Sequence, residues 1–563
     1  MTTEYVDAGD AVNQSHLSGV VGTAPPVARD VTYERIVEAR SEPQNWLTYY
    51  GTYDGQRYSP LGEINTENVK RLTPAWVFQA GAAGPIAGQS TYAFEAAPLI
   101  VDGIIYLSGW DGWVWALDGR TGKELWRYRH AIPLDTKLCC GNVNRGVAVA
   151  HGKVFVVTLN AHVLALDAET GRCVWDKPFG DVRVGESATV APLIVKDLVI
   201  VGSSGGEFGV RGHLDAFEIE SGRHVWRTYT VPKPGEPGSE TWPADGQAWA
   251  RGGGNCWITG TYDPDLNLLY WGTGNPSPDF DGGVRKGDNL YTDCVIAVDP
   301  DNGEIRWHYQ FNPHDMWDYD SNMEHILFEL DGRKLLAHFN KNGYFYVLDR
   351  TNGELVRVTP FVDRITWGEV SPDGKVTPRI YPEKEGEAVR FWPGPGGGKE
   401  WTHAAYSPRT GLFYVPVQDV GAEITLRHRE FKEGIPYWGA GVAVDSTDVA
   451  GSVSAFDPAT GEEVWRWRND MPMCASVLAT AGDLVFAGEP TGEFNALDAR
   501  TGELLWQFQT GSGHHSSPTT YSIDGRQYVV VPVAWGSWLE GFLPGMFGAP
   551  HGGAVFAFAL PED

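Results

Sequence analysis

The sequence predicts an all-β protein, an eight-bladed β-propeller with tryptophan-docking repeats closed by its N- and C-terminal strands. Two observations carry the prediction. A motif of Asp, a Gly four residues later and a Trp four after that recurs along the 563 residues, and the last strand-like segment lacks an outer partner that the N-terminal end can supply. Composition agrees, since 23 Trp, 69 Gly and 12% aromatic residues describe a turn-rich β chain rather than a helical or disordered one.

The repeat copies are Asp118-Gly122-Trp126, Asp167-Gly171-Trp175, Asp299-Gly303-Trp307, Asp457-Gly461-Trp465 and Asp498-Gly502-Trp506, with degenerate copies at Glu218-Gly222-Trp226 and Asp349-Gly353. Each begins with a run such as Trp113-Val114-Trp115-Ala116-Leu117 that favours a pleated strand, and Asp-x-x-Thr-Gly then supplies turn residues. Strand, turn and strand make a hairpin. Most copies stand about 40–50 residues apart, the period of a four-stranded blade. Longer gaps are read as insertions at 276–290 and 359–400. The repeated tryptophans are read as inter-blade packing. For the eighth blade, Gly553 to Leu560 is an inner strand and Val69 to Ala80 its outer partner, a pairing that removes two exposed sheet edges. Residues 1–45 are read as an N-terminal extension and 46–563 as one propeller domain without a haem c domain.

Charge and cysteines exclude several functions. With 44 basic and 72 acidic residues the net charge is −28, which opposes nucleic-acid backbones and anionic membranes. No apolar run is long enough for a membrane span. The polar, acidic segment Met1 to Asp30 lacks the basic and apolar regions of a secretory signal, so the chain reads as cytoplasmic or as a mature form without its signal peptide. The six cysteines form no CxxC pair, zinc spacing or haem-attachment motif. A haem acceptor must then lie on another protein.

Four polar residues follow strand-like runs in glycine-rich or turn-rich contexts: Glu207 after Gly202-Ser-Ser-Gly-Gly206, Asn275 after Gly272-Thr-Gly274, and Asp318 and Asp320 in His314-Asp-Met-Trp-Asp-Tyr-Asp320. Oxygen-only donors suit a hard cation rather than zinc or copper. Singly, each is also an ordinary turn residue. If residues 318–320 form a strand, Asp318 and Asp320 share a face.

With these stretches in view, the sequence resembles the pyrroloquinoline quinone (PQQ)-dependent alcohol and methanol dehydrogenases from about Trp46 onward. The matching motifs are Cys139-Cys140-Gly-Asn-Val-Asn-Arg145-Gly, Gly202-Ser-Ser-Gly-Gly-Glu207-Phe-Gly-Val-Arg-Gly, Gly252-Gly-Gly-Asn-Cys-Trp257, Gly272-Thr-Gly-Asn275-Pro and Trp317-Asp318-Tyr. The resemblance implies that Glu207, Asn275 and Asp318 bind a metal, with Asp318 also the catalytic base. It implies a quinone between Trp257 and a Cys139-Cys140 disulfide, met by Glu95, Arg145, Thr189, Ser204, Gly205, Gly206 and Lys341, with Trp535 nearby. Arg145 and Lys341 suit a tri-anionic cofactor. An oxidised cysteine pair points to the periplasm.

Asp320 bears on the metal. By resemblance, calcium members carry a small residue here and lanthanide members an Asp, and a trivalent ion gains more from a third carboxylate. The expectation is therefore alcohol oxidation with PQQ and one lanthanide ion, Ca2+ being the alternative, and electrons passed to a soluble c-type cytochrome or other acceptor. Two positions depart from the family pattern: Glu400 stands where Asn is common, and Asn255 where Thr or Ala is usual. The alcohol is not specified, and a sugar or polyol is the competing substrate class. The 276–290 insertion and the run Trp538 to Phe547 are candidate pocket walls. A non-catalytic propeller scaffold, like the outer-membrane assembly lipoproteins, would lack the joint set of carboxylates, Cys pair and stacking Trp. No motif sets the oligomeric state, and a homodimer stays open.

Overall fold

The computed structural model describes residues 28–81, 92–537, 540 and 552–562. The candidate wall Trp538 to Phe547 therefore lies, Glu540 apart, outside the described residues. The chain is all-β, and among the described residues there are eight sheets of four or five strands and one two-stranded ribbon. The first sheet shows the plan, with Leu99–Val101, Ile104–Ser108, Trp113–Asp118 and Glu124–Arg129 pairing in chain order. One sheet joins the two ends of the chain. In it Thr73–Gly81 pairs antiparallel with Gly553–Ala559, from Thr73 opposite Ala559 to Gly81 opposite Gly553.

The repeat explains how neighbouring sheets hold together. Trp126 donates its indole N–H to the Ala168 carbonyl at 2.9 Å, and the ring lies on Gly171 of the next hairpin. That glycine is required twice over, because its φ is +72° and a Cβ there would stand 2.5 Å from the Trp126 ring. Equivalent indole bonds run from Trp76 to Gly119, Trp175 to Ile219, Trp226 to Pro300, Trp465 to Ala499 and Trp506 to Leu72, at 2.9–3.1 Å. The degenerate copy at Asp349 replaces the indole with Arg357, whose guanidinium donates to Ala459 at 2.5 Å and Pro458 at 2.6 Å. The carbonyl contact survives the change of side chain.

Three features lie outside the repeat. Residues 276–290 fold inward around Arg285, a fully buried guanidinium donating to the carbonyls of Pro278, Asp279 and Asp315. The 359–400 stretch includes the ribbon Gly368–Val370 with Val376–Pro378 and the strand Ala388–Phe391. That strand pairs with Leu412–Leu426, which with Ala440–Phe456 forms a hairpin of 15- and 17-residue strands. Val31, Ile36 and Ala39 share one core with the first sheets, and Arg35 ties them down through Glu42 and Asp102 at 2.7 Å each. Among the described residues no helix is long and apolar enough to cross a membrane.

Candidate active site

A cavity of about 160 Å3 opens among the loops that link the sheets, and most of the candidate residues line it. Cys139, Cys140, Arg145, Thr189, Ser204, Gly205, Gly206, Glu207, Trp257, Asn275, Asp318, Asp320 and Lys341 meet there, with Asn255, Asp279, Glu400 and Trp401. Cys139 and Cys140 are joined by a disulfide.

Glu207 reaches the cavity through a tight turn. Ser204 and Ser187 exchange backbone hydrogen bonds at 2.8 and 3.1 Å, and Gly205 turns the chain at φ +115° where a Cβ would stand 2.2 Å from the Gly185 carbonyl. The long hairpin docks on this turn, since the Tyr437 N–H donates to the Glu207 carbonyl at 2.6 Å. Asp318 and Asp320 lie in a loop rather than in a strand, so the condition under which they would share a strand face is not met. Asp318 has φ +65°, and one carboxylate oxygen of Asp315 accepts the backbone N–H groups of Trp317, Asp318 and Tyr319 at 3.3, 2.9 and 3.1 Å. Three local hydrogen bonds outcompete sheet pairing, and both acidic side chains still reach the cavity.

The acidic residues crowd around one ammonium. Lys341 Nζ lies 2.8 Å from Asp320, 4.0 Å from Asp318 and 3.5 Å from Glu400, and donates to the Asp318 carbonyl at 3.1 Å. The Asn275 N–H donates to the other Asp320 oxygen at 3.0 Å. Burial pushes Glu207 up to about 7 and Asp318 and Asp279 well above the usual carboxylate range, and their mutual repulsion adds to it. Burial would lower Lys341, but Asp318, Asp320 and Glu400 outweigh it and hold the ammonium well above its ordinary value. Asp279 Oδ1, Asn255 Oδ1 and Arg145 Nε are buried without a hydrogen-bond partner. Such groups are costly unless a ligand satisfies them.

Arg145 anchors the opposite side. Its guanidinium lies 4.8 Å from the Trp257 ring centroid and 4.9 Å from that of Trp401, and bonds Thr189 Oγ1 at 2.5 Å and Glu95 at 2.9 Å. Glu95 and Trp535 are not on the cavity wall. Glu95 stands behind Arg145, accepting from Ser537 Oγ at 2.9 Å, while Trp535 packs edge-on against His515 at 5.9 Å. Glu400 accepts the Trp401 N–H at 2.7 Å, and Asn255 donates to Ser203 Oγ at 2.9 Å.

Comparison with known proteins fits this geometry. A family model described as glucose/ethanol/alcohol dehydrogenase, beta-propeller domain, with PQQ as its short name, matches residues 46–378. The chain is 40% identical to the quinoprotein alcohol dehydrogenase PedH of Pseudomonas putida, over 95% of this chain and 94% of the relative. The chain belongs to the PQQ-dependent alcohol dehydrogenases. This quinoprotein is also 38% identical to the lanthanide-dependent methanol dehydrogenase of Methylacidiphilum fumariolicum, over 90% of this chain and 87% of the relative. A solved europium-containing methanol dehydrogenase superposes with a TM-score of 0.87 at 36% identity, covering 94% of this chain and all of that one. A second family model, outer membrane protein assembly factor BamB, matches only residues 449–532.

The 276–290 insertion does wall the cavity, through Asp279 and Phe280, as the sequence suggested, but sequence reasoning singled out none of Asp279, Asp315 and Arg285 in this quinoprotein. All three belong to segments without periodicity. The available signal was density of charge, with Asp279, Asp281 and Arg285 in a stretch that also carries Pro276, Pro278 and Phe280.

Proposed function

We infer that this PQQ-dependent alcohol dehydrogenase uses a trivalent lanthanide, held by Glu207, Asn275, Asp318 and Asp320, with Asp318 as the base. The observation that carries the reading is the charge of the cavity. Glu207, Asp279, Asp318, Asp320 and Glu400 share the cavity with two cations, Lys341 and Arg145, which leaves three negative charges in excess when all are ionised. Without a cation, burial drives the Glu207, Asp279 and Asp318 carboxyls toward protonation. A trivalent oxygen-seeking ion matches both the donor set and the excess charge, and Ca2+ matches only the donors.

The buried, unsatisfied Arg145 Nε and Asn255 Oδ1 and the glycine-lined turn at Gly205 suit a flat polyanionic quinone between Trp257 and the Cys139–Cys140 pair. When bound, the quinone supplies a two-electron acceptor and the ion a Lewis acid. The protein's part is positioning and proton transfer. Asp318, with its side chain 28% exposed toward the cavity, takes the hydroxyl proton of the alcohol. Lys341 fixes Asp318 through its carbonyl and Asp320 through its carboxylate. Glu95 holds Arg145 in register, a supporting role in place of direct cofactor contact. Phe280, Trp438, Val442 and Val444 form an apolar wall for the carbon chain of the alcohol and keep water from the base.

At larger scale, the eight sheets and the pairing of Thr73–Gly81 with Gly553–Ala559 support one closed eight-bladed ring over 46–563. Electrons then pass to an acceptor such as a soluble c-type cytochrome. The Cys139–Cys140 disulfide supports a periplasmic setting. The test is dye-linked oxidation of an alcohol panel by PQQ-loaded protein with La3+, Ca2+ or no metal. La3+-dependent turnover is expected, and turnover supported equally by Ca2+ would defeat the lanthanide assignment.

A further inference from the structure

A second cluster with metal-binding chemistry lies away from the cavity carboxylates, at the junction of the first two sheets. His130 follows the strand Glu124–Arg129, His162 opens the strand His162–Asp167, and Asp176 sits on the neighbouring strand Cys173–Pro178. In the antiparallel register His162 is opposite Pro178 and Asp176 opposite Leu164, which makes His162 and Asp176 diagonal neighbours. His162 Nδ1 lies 2.6 Å from one Asp176 oxygen, and His130 Nδ1 lies 3.9 Å from the other. The imidazole centroids are 5.3 Å apart, and one ligand atom from each of the three residues falls within 4.8 Å of the others.

We propose that His130, His162 and Asp176 bind a zinc-class divalent ion that clamps the first two sheets together. Two imidazoles and a carboxylate select Zn2+, Ni2+ or Cu2+ over Ca2+ or a lanthanide, the reverse of the all-oxygen cavity. Three protein ligands leave one tetrahedral position for water. Bonds of about 2 Å put the ligand atoms of one zinc ion at about 3.3 Å from each other. The contraction falls on the torsions of His162, whose side chain is 26% exposed, and of Asp176, 37% exposed, so no backbone need move. His130 is held in place by its N–H bond to the Gly112 carbonyl at 3.0 Å. Its Nε2 stands 3.3 Å from the Asn160 amide nitrogen, and turning that carboxamide over presents an acceptor to Nε2–H, the outer partner a ligating imidazole needs.

The clamp acts on a segment that matters to the cavity. His130 begins the stretch leading to Leu138, Cys139 and Cys140 on the cavity wall, and within it Ile132 and Leu138 pack on Leu159, close to the His162 turn. Holding His130 to the second sheet steadies the base of that stretch.

The experiment is calorimetric titration of Zn2+ into full-length protein that has been stripped of metal and reloaded with PQQ and La3+, with hydrogen exchange followed over 130–140. Wild type should bind one equivalent that is lost in both His162→Gln and Asp176→Asn, and exchange over 130–140 should slow only in wild type. The variants should match wild type in melting temperature and alcohol oxidation before zinc is added, which separates loss of a ligand from loss of fold. Absence of binding, or binding kept by both variants as it would be at the cavity carboxylates, overturns the proposal and leaves a hydrogen-bonded His–Asp pair.

Discussion

Asp318 illustrates how a single residue depends on neighbours that carry no motif. Its left-handed backbone is stabilised by the carboxylate of Asp315, a residue whose backbone carbonyl in turn accepts from the Arg285 guanidinium. Asp318→Ala should therefore lower turnover about 100- to 10,000-fold with any metal, the usual worth of a positioned base, while melting temperature changes little. Steady-state kinetics with La3+ and with Ca2+ check this. Asp315→Ala should lower turnover and melting temperature together, because three backbone N–H groups lose their acceptor. The Cys139–Cys140 pair makes the opposite case. It closes almost no chain loop, so reduction should diminish quinone retention or turnover with little loss of melting temperature. Equal loss of both would mark the pair as structural.

At the scale of elements, the indole-on-glycine contact is the unit of cohesion. Trp126→Ala removes both the ring packed on Gly171 and the bond to Ala168, and should cost about 3–5 kcal/mol, read as a fall in denaturation midpoint. This contact was legible in the sequence because it repeats at a fixed spacing. The Arg357 variant was not, since what it preserves is a pair of bonds to the Pro458 and Ala459 carbonyls rather than a residue type. The long hairpin of Leu412–Leu426 and Ala440–Phe456 was hidden for a related reason. Only one end of each strand follows the blade period, and the rest reaches over to Glu207 through Tyr437. Glu207, Asn275, Asp318 and Asp320 were found through glycine-rich or turn-rich contexts and family resemblance, whereas Asp279 is brought to them only by the tertiary packing of an insertion.

Over the whole molecule, burial of titratable groups sets the response to acid. Burial lowers His403 to about 4 and His325 to about 3. Between pH 6.5 and 4 the unfolded chain binds protons that these imidazoles refuse, so their contribution to stability is complete above pH 6.5 and declines as pH falls toward 4. The histidine contribution is read as the difference between the two proteins: melting temperature should fall more steeply from pH 6.5 to 4 in wild type than in His403→Gln. Charge in the cavity is likewise a property of the assembled molecule, because Glu207, Asp279, the Asp318–Asp320 loop and Lys341 come from four separate segments of the chain. The most direct test of this account is the metal preference of PQQ-loaded protein with and without one of those charges. In wild type, dye-linked alcohol oxidation should require La3+ and respond weakly to Ca2+, and in Asp320→Ala the La3+-supported rate should fall steeply while the Ca2+-supported rate holds or rises. Unchanged La3+ activity and affinity in Asp320→Ala would contradict it.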